Sequence, residues 1–174
     1  MNKKDKEQQR YLIIDSTAII HVLSKEKLSD DNVILIFPEG IKNEMRSFQA
    51  KSVLESLKED KSLIFTNPTL QSVNRVELMA EETQDIVNLS KTDIQVIALA
   101  LDYQNATVIS DDNGIQNVCY HLGIPVLTYS FKIRKAREYF WKCTVCGQKY
   151  KRKQDLCIEC GSPTKRLFLS KSKL

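Results

Sequence analysis

The sequence predicts an α/β protein, a parallel sheet flanked by helices, with a small C-terminal zinc ribbon. Three observations lead there. Short apolar runs alternate with stretches of helical period, as in a sheet whose strands are joined by helical crossovers. Four cysteines fall in two Cys-x-x-Cys pairs near the C-terminus. The 174-residue chain is 42% apolar, which suffices for one ordinary core and a small appendage.

Each element follows from its residues. Positions 1–10 are charged and polar and are expected to be disordered. The apolar run 11–14 ends at Asp15 and reads as a buried strand, with a helix expected over 17–24. A second buried run, 33–37, is closed by Pro38, which suits the first turn of a helix reaching about 48. Another helix is expected over 51–59. A third strand, 63–65, stops at Asn67-Pro68, and helical patterns return over 70–82 and 92–103. In the second of these, Ile94, Ile97, Ala98 and Leu101 fall at i, i+3, i+4 and i+7, with Thr92 as the expected N-cap. Strand 106–109 leads to Asp111 and a helix to about His121, which Gly123 ends before a last strand at 125–127. The chain thus divides into an N-terminus (1–10), an α/β domain (11–130), a basic linker (131–138), the ribbon (139–169) and a disordered tail (170–174).

Cys143, Cys146, Cys157 and Cys160 read as a tetrathiolate Zn²⁺ site. Gly147 and Gly161 follow the two knuckles, where a positive φ turns backbone N–H groups towards the thiolates. Two disulfides or a redox dithiol are the alternatives. Four thiolates leave no open position for substrate, so the zinc is expected to be structural. Cys119 stands outside the knuckles and reads as a buried core thiol.

Charge is unevenly spread. From Lys132 onwards thirteen Lys/Arg face three acids, a net of +10 within a chain of net +4. Such a basic segment, carrying Tyr139, Phe140, Trp141, Tyr150 and Phe168, suggests a polyanion partner, with a solvated basic surface as the plainer reading. No apolar leader opens the chain and no run approaches a membrane span, so a cytoplasmic protein without a membrane partner is expected.

In a parallel α/β sheet, ligands bind where strands end and helices begin. Asp15, Glu44, Asp93 and Asp111 all follow strands or open helices, and all should reach one cleft; Asp102 lies at the far end of its helix and is excluded. Each alone could be a helix cap or a solvated charge. Together they would repel one another without a counter-charge, and oxygen ligands select Mg²⁺ or Mn²⁺, which can set a water against a phosphodiester. His21 and His121 read as structural.

These residues carry a family resemblance. Leu-Ile-Ile-Asp15-Ser-Thr, Ile-Lys-Asn-Glu44-Met, Lys-Thr-Asp93-Ile-Gln-Val-Ile-Ala-Leu-Ala and Val-Ile-Ser-Asp111-Asp112-Asn resemble the four acidic motifs of PIN-domain ribonucleases. With Ile-Gln-Asn-Val118 and the four-cysteine ribbon, the chain is similar to the archaeal NIN-one-binding (Nob) family, which matures the 3′ end of small-subunit ribosomal RNA. The resemblance spans about 11–168. It implies Asp15, Glu44, Asp93 and Asp111 as catalytic metal-binding acids, with Asp112 as an accessory, and hydrolysis leaving a 5′-phosphate and a 3′-hydroxyl. Ser110 stands where many relatives have threonine. The implied partners are precursor ribosomal RNA, the nascent small subunit and a KH-domain assembly factor.

Overall fold

The computed structural model describes residues 9–18, 32–41, 63–130, 133 and 135–171. Glu44, His21, the helix expected over 51–59, and most of those expected over 17–24 and 38–48, lie outside the described residues.

Five parallel strands form the main sheet: β1 (Arg10–Ile14), β2 (Val33–Pro38), β3 (Leu63–Thr66), β4 (Ala106–Ile109) and β5 (Val126–Leu127). Their order is β3-β2-β1-β4-β5. The chain therefore builds outwards from β1 on one side and then returns to add β4 and β5 on the other. Between β1 and β4 lies the point where this direction reverses, which opens a crevice at the carboxyl ends of open parallel sheets. Both strands end level there, with Ile14 paired to Ile109.

The strands are apolar at successive positions because both faces are covered. On one face Ile13, Ile36 and Val108 pack against α1 (Leu70–Thr83), α2 (Lys91–Asp102) and α3 (Asn113–Leu122). On the other, Leu12, Ile14, Leu35, Phe37 and Ile109 pack with Ala18, Ile41 and Tyr129. Cys119 belongs to the first cluster, fully buried, and burial pushes its thiol far up. The thiol expected to be core is core.

Two caps fix the helices. Asp102, at the end of α2, accepts hydrogen bonds from Thr69 N–H, Thr69 Oγ1 and Ser72 Oγ, so it staples the start of α1 to the end of its neighbour. α1 and α2 therefore run antiparallel, and the turn between them falls at the carboxyl edge of the sheet. The N-cap of α2 is Ser90, not the expected Thr92. Ser90 and Asp93 form a reciprocal capping box, which satisfies two amides at once and moves the helix start back two residues.

The ribbon is a separate antiparallel sheet of β6 (Ala136–Cys143), β7 (Lys149–Tyr150) and β8 (Thr164–Lys171), in the order β7-β6-β8. β6 begins within the stretch expected to be linker, and β8 runs into the expected tail. The start of β6 is held by Asn117, fully buried in α3, which accepts from Arg137 N–H at 2.8 Å and donates to Arg137 C=O at 2.9 Å. Gln116 beside it accepts from Ile133 N–H at 2.8 Å. This Gln-Asn pair gives the connector the hydrogen-bond partners it would otherwise take from water.

Candidate active site and zinc centre

Asp15 leaves β1 at the crevice and is 2% exposed. Its backbone N–H donates to Ile109 C=O at 3.2 Å, continuing the β1–β4 ladder one step past the strand. Its Oδ2 accepts from Thr17 Oγ1 at 2.7 Å and from Ser110 Oγ at 2.9 Å. Ser110, also buried, in turn accepts from Asp112 N–H at 3.0 Å. One hydroxyl therefore orients Asp15 and the residue that opens α3.

Asp93 reaches the same place from α2. Its Oδ2 accepts from Ser90 N–H at 2.7 Å within the capping box. Burial raises its carboxyl above the ordinary 3.8, helped by the charges of Asp15 and Asp112 and opposed by the Ser90 hydrogen bonds. Asp15 and Asp112 are linked through the Ser110 hydroxyl, and Asp93 opens α2 at the same carboxyl edge of the sheet.

Asp111 and Asp112 part ways. Asp112 is the N-cap of α3, with Oδ1 accepting from Gly114 and Ile115 N–H at 2.7 and 2.9 Å, so its second oxygen lies outside the capping bonds. Asp111 turns to the chain after β5: Oδ1 accepts from Tyr129 N–H at 2.7 Å and from Ser130 N–H at 3.1 Å. Burial and the Asp111 charge push the Tyr129 phenol up. Asp112, expected as an accessory, thus caps α3, while Asp111, expected as a principal acid, bonds the chain after β5.

Glu44 lies outside the described residues, and the described stretch before it ends at Ile41. A Cβ placed on Gly40 would stand 2.9 Å from Gln95 Oε1 and 3.5 Å from Thr92 Oγ1, so the backbone there presses on the first turns of α2. The oxygens of Asp15, Asp93 and Asp112 form a hard donor set that suits Mg²⁺ or Mn²⁺, ions that keep several waters and take one or two carboxylates. Among the described residues these acids do not close as tightly as the cysteines do.

The cysteines bring their sulfurs within 4.8 Å of one another. Cys143 and Cys160 stand 3.5 Å apart and Cys146 and Cys157 3.4 Å, near the edge of about 3.8 Å that a tetrahedron of 2.3 Å Zn–S bonds has. All are unbridged. Gly147 and Gly161 take φ of +77° and +69°, as the knuckles require. The Tyr150 hydroxyl, 3.0 Å from Cys157, lowers that thiol, and Ser162 lowers Cys160 to about 6. Cys146 is pushed up to about 12: the Gln148 N–H works downwards, but hydrogen bonds with Cys157 and Cys143 outweigh it. A zinc ion would suit all four as thiolates.

A third group, unannounced by the sequence, joins the two sites. Asp85 is 1% exposed in the turn after α1, where Arg166 of β8 donates to it at 3.1 Å and also to Gln84 C=O. Asn117 Nδ2 donates to Asp85 at 2.6 Å. Arg166 also stacks on Tyr139, 3.6 Å from the ring centroid. Asp85 C=O accepts from Asn88 and Leu89 N–H, and Leu89 packs beside Gly114, whose N–H holds Asp112. Asn117 lies nearly opposite the apolar face of Ile115, Val118 and Cys119 on α3, so the helical period gave its burial no signal. Asp85 follows other acids, and Arg166 is one of thirteen basic residues.

Residues 12–103, over half of the chain, match the PIN domain of ribonuclease. Similar proteins include the Endoribonuclease Nob1 of Pyrococcus abyssi, 31% identical over 88% of this chain and 91% of that protein. That of Methanocaldococcus jannaschii is 33% identical over 93% of this chain and 79% of its own. The chain belongs to the Nob1 family of PIN-domain endoribonucleases. Ribonuclease VapC1 of Thermoplasma acidophilum is also similar, 29% identical over 91% of this chain and 83% of its own. Fold, relatives and acidic crevice make this Nob1-family chain an endoribonuclease. No helix among the described residues is long and apolar enough to cross a membrane.

Proposed function

We propose that the chain cuts precursor small-subunit ribosomal RNA near its mature 3′ end, in the cytoplasm, within the nascent small subunit and beside a KH-domain assembly factor. What supports this is a Nob1-family chain whose Ser110 hydroxyl links Asp15 to Asp112 at the ends of β1 and β4, with Asp93 opening α2 and the basic ribbon bonded to the turn before it. Asp15, Asp93 and Asp112 would hold Mg²⁺ or Mn²⁺, with Glu44 expected to join them; Cys143, Cys146, Cys157 and Cys160 would hold Zn²⁺. A bound Mg²⁺ or Mn²⁺ supplies charge to the scissile phosphate and lowers the pKa of an attacking water. Ser110 and Thr17 aim Asp15 through hydrogen bonds to its Oδ2. Asp93 and Asp112 are fixed by the helix ends that they cap, so their reorganisation on binding is small. Asp111 acts as a positioning residue by holding 129–130 beside the crevice.

The test is incubation of the zinc-loaded chain with a precursor 3′-end fragment and Mn²⁺, followed by mapping of the ends. One cut at the mature end, leaving a 5′-phosphate and a 3′-hydroxyl, is expected. The similarity to Ribonuclease VapC1 favours a second reading, a nuclease for transfer or messenger RNA. Preferred cleavage of those RNAs in the same assay would select it.

A further inference from the structure

Away from the acids, α1 and the turn after it face β6 and β7 across a groove of about 1120 Å³. Single exposed apolar side chains are ordinary, but three share this groove: Leu78, 63% exposed, Val87, 44%, and Leu169, 57%. Phe140 and Tyr150 add aromatic surface, and Lys149 Nζ stands 5.4 Å from the Phe140 ring centroid. The two rims carry opposite charge. Lys149, Lys151, Arg152 and Lys153 line the ribbon side beside a single acid, Glu138 of β6, while Glu81 and Glu82 line the α1 side.

We propose that this groove binds a single-stranded stretch of RNA, its phosphates along 149–153 and its bases on the apolar and aromatic floor. The inference rests on the endoribonuclease reading and names where that enzyme grips its substrate. Stacking surface beside a cationic track is the arrangement by which proteins hold single strands, since every base has a π-face and every link a phosphate. The acidic rim, which would repel phosphate, instead accepts hydrogen bonds from exocyclic amino groups. The groove therefore prefers cytosine to uracil. Four cations within five residues favour RNA over a protein partner, which would use the floor but needs no such track. Val87 lines the groove, and Leu89, two residues on, packs beside Gly114 at the start of α3. A strand leaving over this turn reaches the acids.

The experiment measures fluorescence anisotropy of labelled oligo(C) and oligo(U) RNA on the full zinc-loaded chain in an Asp93→Asn background, so that binding is read without cutting. Leu78→Glu and Arg152→Glu, both at exposed positions, are each expected to weaken oligo(C) binding about tenfold, and Arg152→Glu to flatten the salt dependence. Glu82→Gln is expected to bring the oligo(C) to oligo(U) ratio close to one. Affinities within twofold of the parent for both groove variants, with zinc content and melting temperature unchanged, overturn the proposal and leave the groove to a protein. Cleavage by the Asp93-containing chain alongside such unaffected binding spares the nuclease reading. Groove-dependent binding without cleavage by that chain sinks the nuclease reading and spares the groove.

Discussion

At Ser110 one hydroxyl links two acids, donating to Asp15 while accepting the N–H of Asp112. That bond is where the two consecutive aspartates separate in role, because it sets the backbone that sends Asp111 towards 129–130 and Asp112 into the α3 cap. Asp112→Asn should lower single-turnover cleavage at least about a hundredfold, whereas Asp111→Asn should stay within about tenfold of the parent and speed amide exchange at Tyr129 and Ser130. The order of these two rates, measured on one RNA, decides between them. Asp93 predicts a pH dependence. Its folded pKa lies above 3.8 because of burial first and the Asp15 and Asp112 charges after. The folded state therefore binds protons more tightly, and the metal-free chain loses stability as pH rises from 3.8 through the folded pKa. A cation needs the ionised form, so the rise in melting temperature with added Mg²⁺ should grow across that same window and vanish at its acid end. In Asp93→Asn most of that rise should be missing at every pH.

Among the elements, the turn between α1 and α2 joins ribbon to crevice. Asp85 there pairs with Arg166 of β8, bonds Asn117 of α3, and through its carbonyl shapes the turn that carries Leu89 to the start of α3. Removing one partner of a buried pair leaves the other charge uncompensated and costs about 3–5 kcal/mol. Arg166→Ala should therefore release the ribbon from α1 and α3 while the zinc site stays intact. Faster exchange at Arg137 N–H with unchanged zinc content is the expected pattern. The strands and α1, α2 and α3 were legible in the sequence because apolar runs and helical periods report burial directly. The start of α2 was misplaced because Ser90 and Thr92 are both good caps, and only the reciprocal bond from Asp93 separates them. The docking group was not legible at all. Its members lie in three elements, and each pays its desolvation only through partners distant in sequence.

For the whole molecule, an α/β body with an acidic crevice carries a basic ribbon held together by thiolates. Structural zinc supplies folding free energy to the module that binds it. Chelation should melt β6–β8 near the knuckles while the five-stranded core keeps its helical circular dichroism. RNA affinity should fall and the salt slope become shallower, because phosphate contacts of the ribbon are lost. The four-cysteine cluster could be picked out from spacing alone, and the placing of Asp15 after β1 and of Asp93 in the first turn of α2 from the strand and helix patterns. The separate partners of Asp111 and Asp112 could not, because adjacent residues leave a strand in opposite directions and only packing decides what each one meets. The claim that joins these scales is that the crevice acids cut while the ribbon grips. It is tested most directly by Asp15→Asn, with Mn²⁺-dependent single-turnover cleavage and RNA affinity read on the same precursor fragment. The account predicts that cleavage disappears and affinity stays within about threefold of the parent; undiminished cleavage would contradict it.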